Sequence, residues 1–349
     1  MPNNFLKETV ASTWETMPSF RHVKIDADRL AEIADANALR EFVLPRWDFP
    51  GCYPAANHAF PSHRFFVDCV NFCYDNSRRN EDGELIKFRT KTLHGKPVSG
   101  ALAMDAIFYK LFVENSIDPK RLRRAIGTFS KFKRTFRGTT SLPLMRARWE
   151  RLMESCTVLQ EGFGGDVFNL LEEGDYRAFG ENGRKGAVEI LTECFPRTFG
   201  EDKFIDTNYF TPAGRKFYFY KRAQLFVVEY HDRAVASRGE LPLIKDIEEI
   251  GPIADYELPK SYVVDGVLKY SPELQYAIER AMPIERHSQP EIEIRAALTW
   301  AHHFELAWIN GVRRRKNLAP IHIGHLDYWR WERGRKNTLN HHLCFTPDY

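Results

Sequence analysis

Two short segments carry residue types suited to a buried ionic site. Phe219-Tyr220-Lys221-Arg222-Ala223-Gln224 sets a lysine behind two aromatics, and Ala254-Asp255-Tyr256-Glu257-Leu258-Pro259 sets an aspartate between a small residue and an aromatic. The two segments put a lysine and an aspartate where each could serve a buried site. A third segment, Leu326-Asp327-Tyr328-Trp329-Arg330-Trp331-Glu332, packs two acids and three aromatics into seven residues. On a helix Asp327 would lie beside Trp331, and Tyr328 beside Glu332, because each pair is four apart. Such a face can clamp a flat heterocycle, with rings stacking and carboxyl groups accepting its N–H donors. Taken alone, the same pattern is more often an aromatic core stripe with acids at its edge.

Other chemistries find little support. Gly162-Phe163-Gly164-Gly165 follows a helical pattern and reads as a helix C-cap, not a phosphate-cradling loop, and Gly-x-Ser-x-Gly is absent. Of the six cysteines only Cys69 and Cys73 are close, at a spacing that would share a helical face, and a zinc site would want a second pair. The twelve histidines join no recognised metal pattern, so no metal site is assigned and the thiols are expected to be reduced and mostly buried.

Helical periodicity must position the candidate residues. Ala223, Phe226, Val227, Tyr230 and Ala234 predict an amphipathic helix with Lys221 in its first turn, where the dipole is positive. Asp255, shortly before Pro259, is expected at a buried turn or helix start. Met145, Trp149, Leu152, Cys156, Leu159 and Phe163 line one face of a helix that stops at Gly164-Gly165. Ile294, Ala297, Leu298, Ala301, Phe304 and Trp308 mark a long helix after Pro290 that ends around Gly311, with the basic run Arg313 to Lys316 following its end. Asp26 is placed to cap a short helix carrying Leu30, Ile33 and Ala34. Leu85-Ile86-Lys87-Phe88-Arg89 and the turn-like His94-Gly95-Lys96-Pro97 predict a hairpin between Phe72 and Ser99.

A chain of 349 residues with 43% apolar content and 26 phenylalanines can bury a large core without disulfides or a structural metal. Its net charge of +3 is far from the excess of a general nucleic-acid binder, so any anion site is local. The stretch from Pro119 to Gly138 holds eight basic residues and no acid, which is usually a solvated face; RNA or phosphate contact is the alternative. The same stretch divides the chain into a 1–138 portion with the hairpin, packed on the rest, and a helical 139–349 portion with the main motifs. No run of about 18 apolar residues is present to span a bilayer, and Met1-Pro2-Asn3-Asn4 has no charged head leading into an apolar segment; the expectation is a cytoplasmic protein without a membrane partner.

From about Leu142 onward the chain resembles the queuosine salvage family, the queuosine 5'-phosphate N-glycosylase/hydrolases. The blocks that carry the resemblance run in order: Leu144 to Arg148, Phe163-Gly164-Gly165, Phe195-Pro196, Phe219 to Gln224, Ala254 to Pro259, Leu268 to Ser271, Glu291 to Arg295 and Leu326-Asp327-Tyr328, with a weaker extension to Asn71-Phe72-Cys73-Tyr74 and Ser99-Gly100. The resemblance implies a mainly α fold similar to the helix-hairpin-helix DNA glycosylases, with the small β-hairpin in the N-terminal half. It implies hydrolysis of a nucleotide's N-glycosidic bond to release a 7-deazaguanine base for tRNA modification, with water as second substrate, no cofactor and no stable nucleic-acid complex. Asp255 then falls on the catalytic carboxylate, with Lys221 either keeping it ionised or binding the 5'-phosphate. Ile253, Tyr256, Asp327, Tyr328 and Glu332 fall at substrate-binding positions. The chain departs from the family at Ile253, where phenylalanine is frequent, and at Glu332, where aspartate stands; Asp75 and Ala101 also replace aromatics. Those departures keep two alternatives open: a non-catalytic binder of modified nucleosides or tRNA, and a glycosylase for a different nucleoside.

Overall fold

The computed structural model describes residues 5–79, 81, 85–206 and 214–349, so Met1 to Asn4 lie outside the described residues. The architecture is mainly helical, and the described strands form four separate two-stranded antiparallel pairs. The hairpin expected between Phe72 and Ser99 forms as two consecutive pairs, Asp75–Arg79 with Leu85–Lys87 and Arg89–Lys91 with Pro97–Ser99. Gly95, at φ +82°, supplies the left-handed turn residue of the second. The Leu268–Tyr270 strand pairs with Val23–Ile25, and Lys203–Ile205 pairs with Lys216–Tyr218.

The expected helices form, with one boundary moved. Met145–Gly162 buries Leu152, Cys156 and Leu159 and is followed by Gly164 and Gly165, both at positive φ. Its Arg148 reaches across to the carbonyls of Val70, Phe72 and Cys73, and so pins the chain that leaves the Phe60–Asp68 helix. Asp26 caps Ala27–Asn37 by accepting the Arg29 N–H at 3.0 Å. The long helix runs from Gln289 to Arg315 and passes through Gly311 instead of ending there. One interior glycine costs only about 1 kcal/mol, and Arg313 continues the turn while donating to the Ala319 carbonyl at 2.7 Å. The basic run therefore forms the last turn, where cations complement the helix dipole.

Cys69 and Cys73 do not share a helical face, since Cys69 follows the helix end and Cys73 lies beyond it at φ +42°. All six thiols are free, and only Cys194 is exposed. The larger core cluster gathers side chains from Cys52 to Ile323, and a second unites Val23 with Leu258, Tyr262 and the inner face of the long helix. Every basic residue between Pro119 and Gly138 is exposed, as a solvated face requires. Among the described residues no helix is long and apolar enough to cross a membrane.

Candidate active site

The Lys221–Ala236 helix is buried almost all round, which makes it the central strut of the molecule. Tyr220 at φ +42° turns the chain sharply into it, and the backbone N–H of Lys221 donates to Asp202 Oδ2 at 2.8 Å. Asp202 in turn accepts a bidentate pair from Arg295 at 2.7 and 2.9 Å. Arg295 is sandwiched by Phe219 and Tyr349, and its Nε points at the Ala254 carbonyl at 3.3 Å. One buried ion pair thus fixes both the first residue of this helix and the residue before Asp255. Gln224 adds a second tie, donating to the Phe219 carbonyl at 2.6 Å and accepting the Gly251 N–H at 2.9 Å.

Asp255 opens the Glu257–Val264 helix. Its Oδ1 accepts the N–H groups of Glu257 at 2.8 Å and Leu258 at 3.0 Å, which satisfies two donors that a helix start leaves unpaired. Lys221 is 5% exposed, and its Nζ lies 3.4 Å from the Asn71 carbonyl. Burial lowers the lysine's pKa while the Asp255 charge opposes that shift. Burial raises the pKa of Asp255, and Lys221 together with the two N–H bonds pulls it back down. The charge of each therefore favours the ionised form of the other, against the burial that opposes both.

Asp327 lies on the Ile323–Lys336 helix and accepts the Ile253 N–H at 3.3 Å. Burial lifts its carboxyl well above the usual range, and the Asp255 charge lifts it further. Tyr328 stacks on Trp331 with ring centroids 6.1 Å apart. Glu332, one turn beyond Tyr328, pairs outward with Lys336 at 3.2 Å. Tyr256 packs on the His341 ring at 4.4 Å, with Lys87 Nζ 5.7 Å from its centroid.

These side chains meet. Lys221, Ile253, Asp255, Tyr256, Asp327, Tyr328 and Glu332 all line one cavity of about 390 Å³, so the structure brings together every site residue expected from the sequence. Sequence reasoning gave no site role to Asp202, Asn71, Lys87, Trp47 and Asp232. Asp232 left a signal, standing eleven residues after Lys221 on the same helical face; Asp202 left none, because a backbone turn and not a spacing delivers it to Lys221. Among the described residues no three histidine, cysteine or acidic side chains converge as a metal site.

The cavity holds two carboxyls in different electrostatic company: Asp255 is pulled down by Lys221 and two N–H groups, and Asp327 is raised by burial and by the Asp255 charge. The family model for the queuosine salvage protein matches residues 53–346. A queuosine 5'-phosphate N-glycosylase/hydrolase from Sphaerobacter thermophilus is 27% identical over 349 residues, covering 97% of each chain. The mouse protein of the same name is 26% identical over 277 residues, 78% of this chain and 75% of that one. The Bos taurus protein is 27% identical over 246 residues, covering 69% and 67%. With the family model matching most of its length, the chain belongs to the queuosine salvage protein family.

Proposed function

We propose that this protein hydrolyses the N-glycosidic bond of queuosine 5'-phosphate and releases queuine for salvage into tRNA modification. The observation that carries the reading is the meeting of Asp255, Lys221 and Asp327 on one cavity. Breaking the C1'–N bond leaves oxocarbenium character on the ribose. Asp255, ionised beside Lys221, stabilises that charge and orients or deprotonates the attacking water. Lys221 is assigned to keeping Asp255 charged, because the residue is buried, its Nζ lies 3.4 Å from the Asn71 carbonyl and its charge lowers the Asp255 pKa.

The departing base gains the electron pair of the broken bond. A 7-deazapurine has a carbon where guanine has N7, so protonation at that position is not open to it. Asp327 supplies the alternative: its neutral carboxyl can donate a hydrogen bond to a ring heteroatom and so stabilise the base as it leaves. The two acids divide the work because one faces a lysine and two N–H groups, and the other faces the first one's charge. The helical architecture, with its cavity between helices, also supports the reading of this fold as related to the helix-hairpin-helix DNA glycosylases.

The test is incubation of purified protein with queuosine 5'-phosphate and detection of free queuine by mass spectrometry. Wild type is expected to release queuine, and Asp255→Asn to lose at least about a hundredfold in rate. Binding without turnover by wild type, or undiminished release by the variant, overturns the assignment.

A further inference from the structure

One acid on the cavity wall has no part in this chemistry. Asp232 follows Lys221 by eleven residues, three helical turns, and so joins Lys221, Leu225 and Val228 on the stripe facing the cavity, about 16 Å further along the axis. It is 2% exposed, and its Oδ1 has no hydrogen-bond partner. The Trp47 indole stands beside it, and Gly324 packs so closely that a Cβ there would lie 2.9 Å from Oδ1.

Its electrostatic company is unusual for this cavity. Arg64 serves Asp105 and Glu229, Lys87 serves Glu257, and Lys221 serves Asp255. Among the described residues no cation offsets the burial of Asp232; only the Trp47 indole relieves it. Burial raises the pKa of Asp232 well above the usual carboxylate range and its Oδ1 is left unpaired, so a cation that restores its charge is to be sought in the ligand.

The substrate carries one. In queuosine the carbon at position 7 bears an aminomethyl arm whose secondary amine is protonated near neutral pH. Asp327 feels the charges of both Asp255 and Asp232, and the three carboxyls line the one cavity. With the sugar at Asp255 and the base at Asp327, Asp232 is the acid of the same cavity wall left for the substituent of the base. We propose that Asp232 is the counter-ion for the ammonium of this 7-substituent and sets the preference for ammonium-bearing 7-deazaguanines over neutral ones. Trp47 adds an aromatic surface suited to the same cation. The proposal rests on the hydrolase reading for its substrate, but its test does not depend on turnover.

The experiment compares queuosine 5'-phosphate with 7-deazaguanosine 5'-phosphate, which lacks the arm, in turnover by wild type and Asp232→Asn. Calorimetry compares binding of the free bases queuine and 7-deazaguanine by the same proteins. Wild type is expected to favour queuine, and the variant to lose roughly 30-fold or more in kcat/KM for queuosine 5'-phosphate, mostly through KM, while changing the neutral nucleotide by no more than about twofold. Equal losses on both nucleotides would make Asp232 a structural residue and overturn the proposal, as would no loss on either. If the variant fails to fold, wild-type binding decides: equal affinity for the two bases overturns the ammonium site. Preferential queuine binding without any turnover would leave the site standing and remove the hydrolase reading; turnover without preference would do the reverse.

Discussion

Asp255 and Asp327 face the same cavity in opposite electrostatic company, and that difference is open to a kinetic test. The proposed mechanism needs Asp255 ionised, so kcat/KM should fall as pH drops through its pKa. Burial raises that pKa and the Lys221 charge lowers it. In Lys221→Met the lowering is removed, so the acid limb of the pH profile should move to higher pH and the rate at neutral pH should fall. An unmoved limb with a raised KM would instead assign Lys221 to the 5'-phosphate. Both residues were legible in the sequence because each stands in a short block with a recognisable neighbourhood. What the sequence left open was the lysine's task, since that depends on where Nζ points. Asp202 and Arg295 were invisible as a pair because 93 residues separate them and only the folded chain joins them.

The elements that carry these acids meet at a point of close backbone approach. The Glu257–Val264 helix starts at Asp255, the Ile323–Lys336 helix carries Asp327, and a Cβ at Gly334 would run into the Glu257 carbonyl oxygen. Gly334→Ala should therefore push the two helices apart. The expected cost is about 1–3 kcal/mol of stability, read as a lowered melting temperature, with a raised KM because Asp327 shifts relative to Asp255. A variant that loses stability and keeps its KM would mean that the helix spacing does not set the site. Secondary structure was legible where apolar residues held a 3.6-residue period, as in Met145–Gly162 and Lys221–Ala236. The end of the long helix was not, because Gly311 is tolerated once packing and the Arg313 contact extend the helix past it. The helix contact at Gly334 had no signal either, since a glycine in a helix announces neither its neighbour nor its purpose.

At the scale of the molecule, the cavity walls come from Pro45 to Tyr349, so the site exists only when the whole chain is folded. A ligand that fills it binds the folded state and not the unfolded one, and must stabilise the protein by mass action. Queuine at a hundred times its Kd should add about 2.7 kcal/mol. Unfolding entropy of about 2.1 cal/mol/K per residue converts this, for 349 residues, into a rise in melting temperature of about 4 °C. The basic face between Pro119 and Gly138 contributes no residue to the cavity, so reversing charges there should leave this rise in place. Ribose 5-phosphate, which lacks the heterocycle, should give a much smaller one, because the proposed mechanism assigns Asp327 to the base. Equal shifts for queuine and ribose 5-phosphate would move recognition to the sugar end of the cavity, and no shift with queuine would separate this cavity from the base altogether.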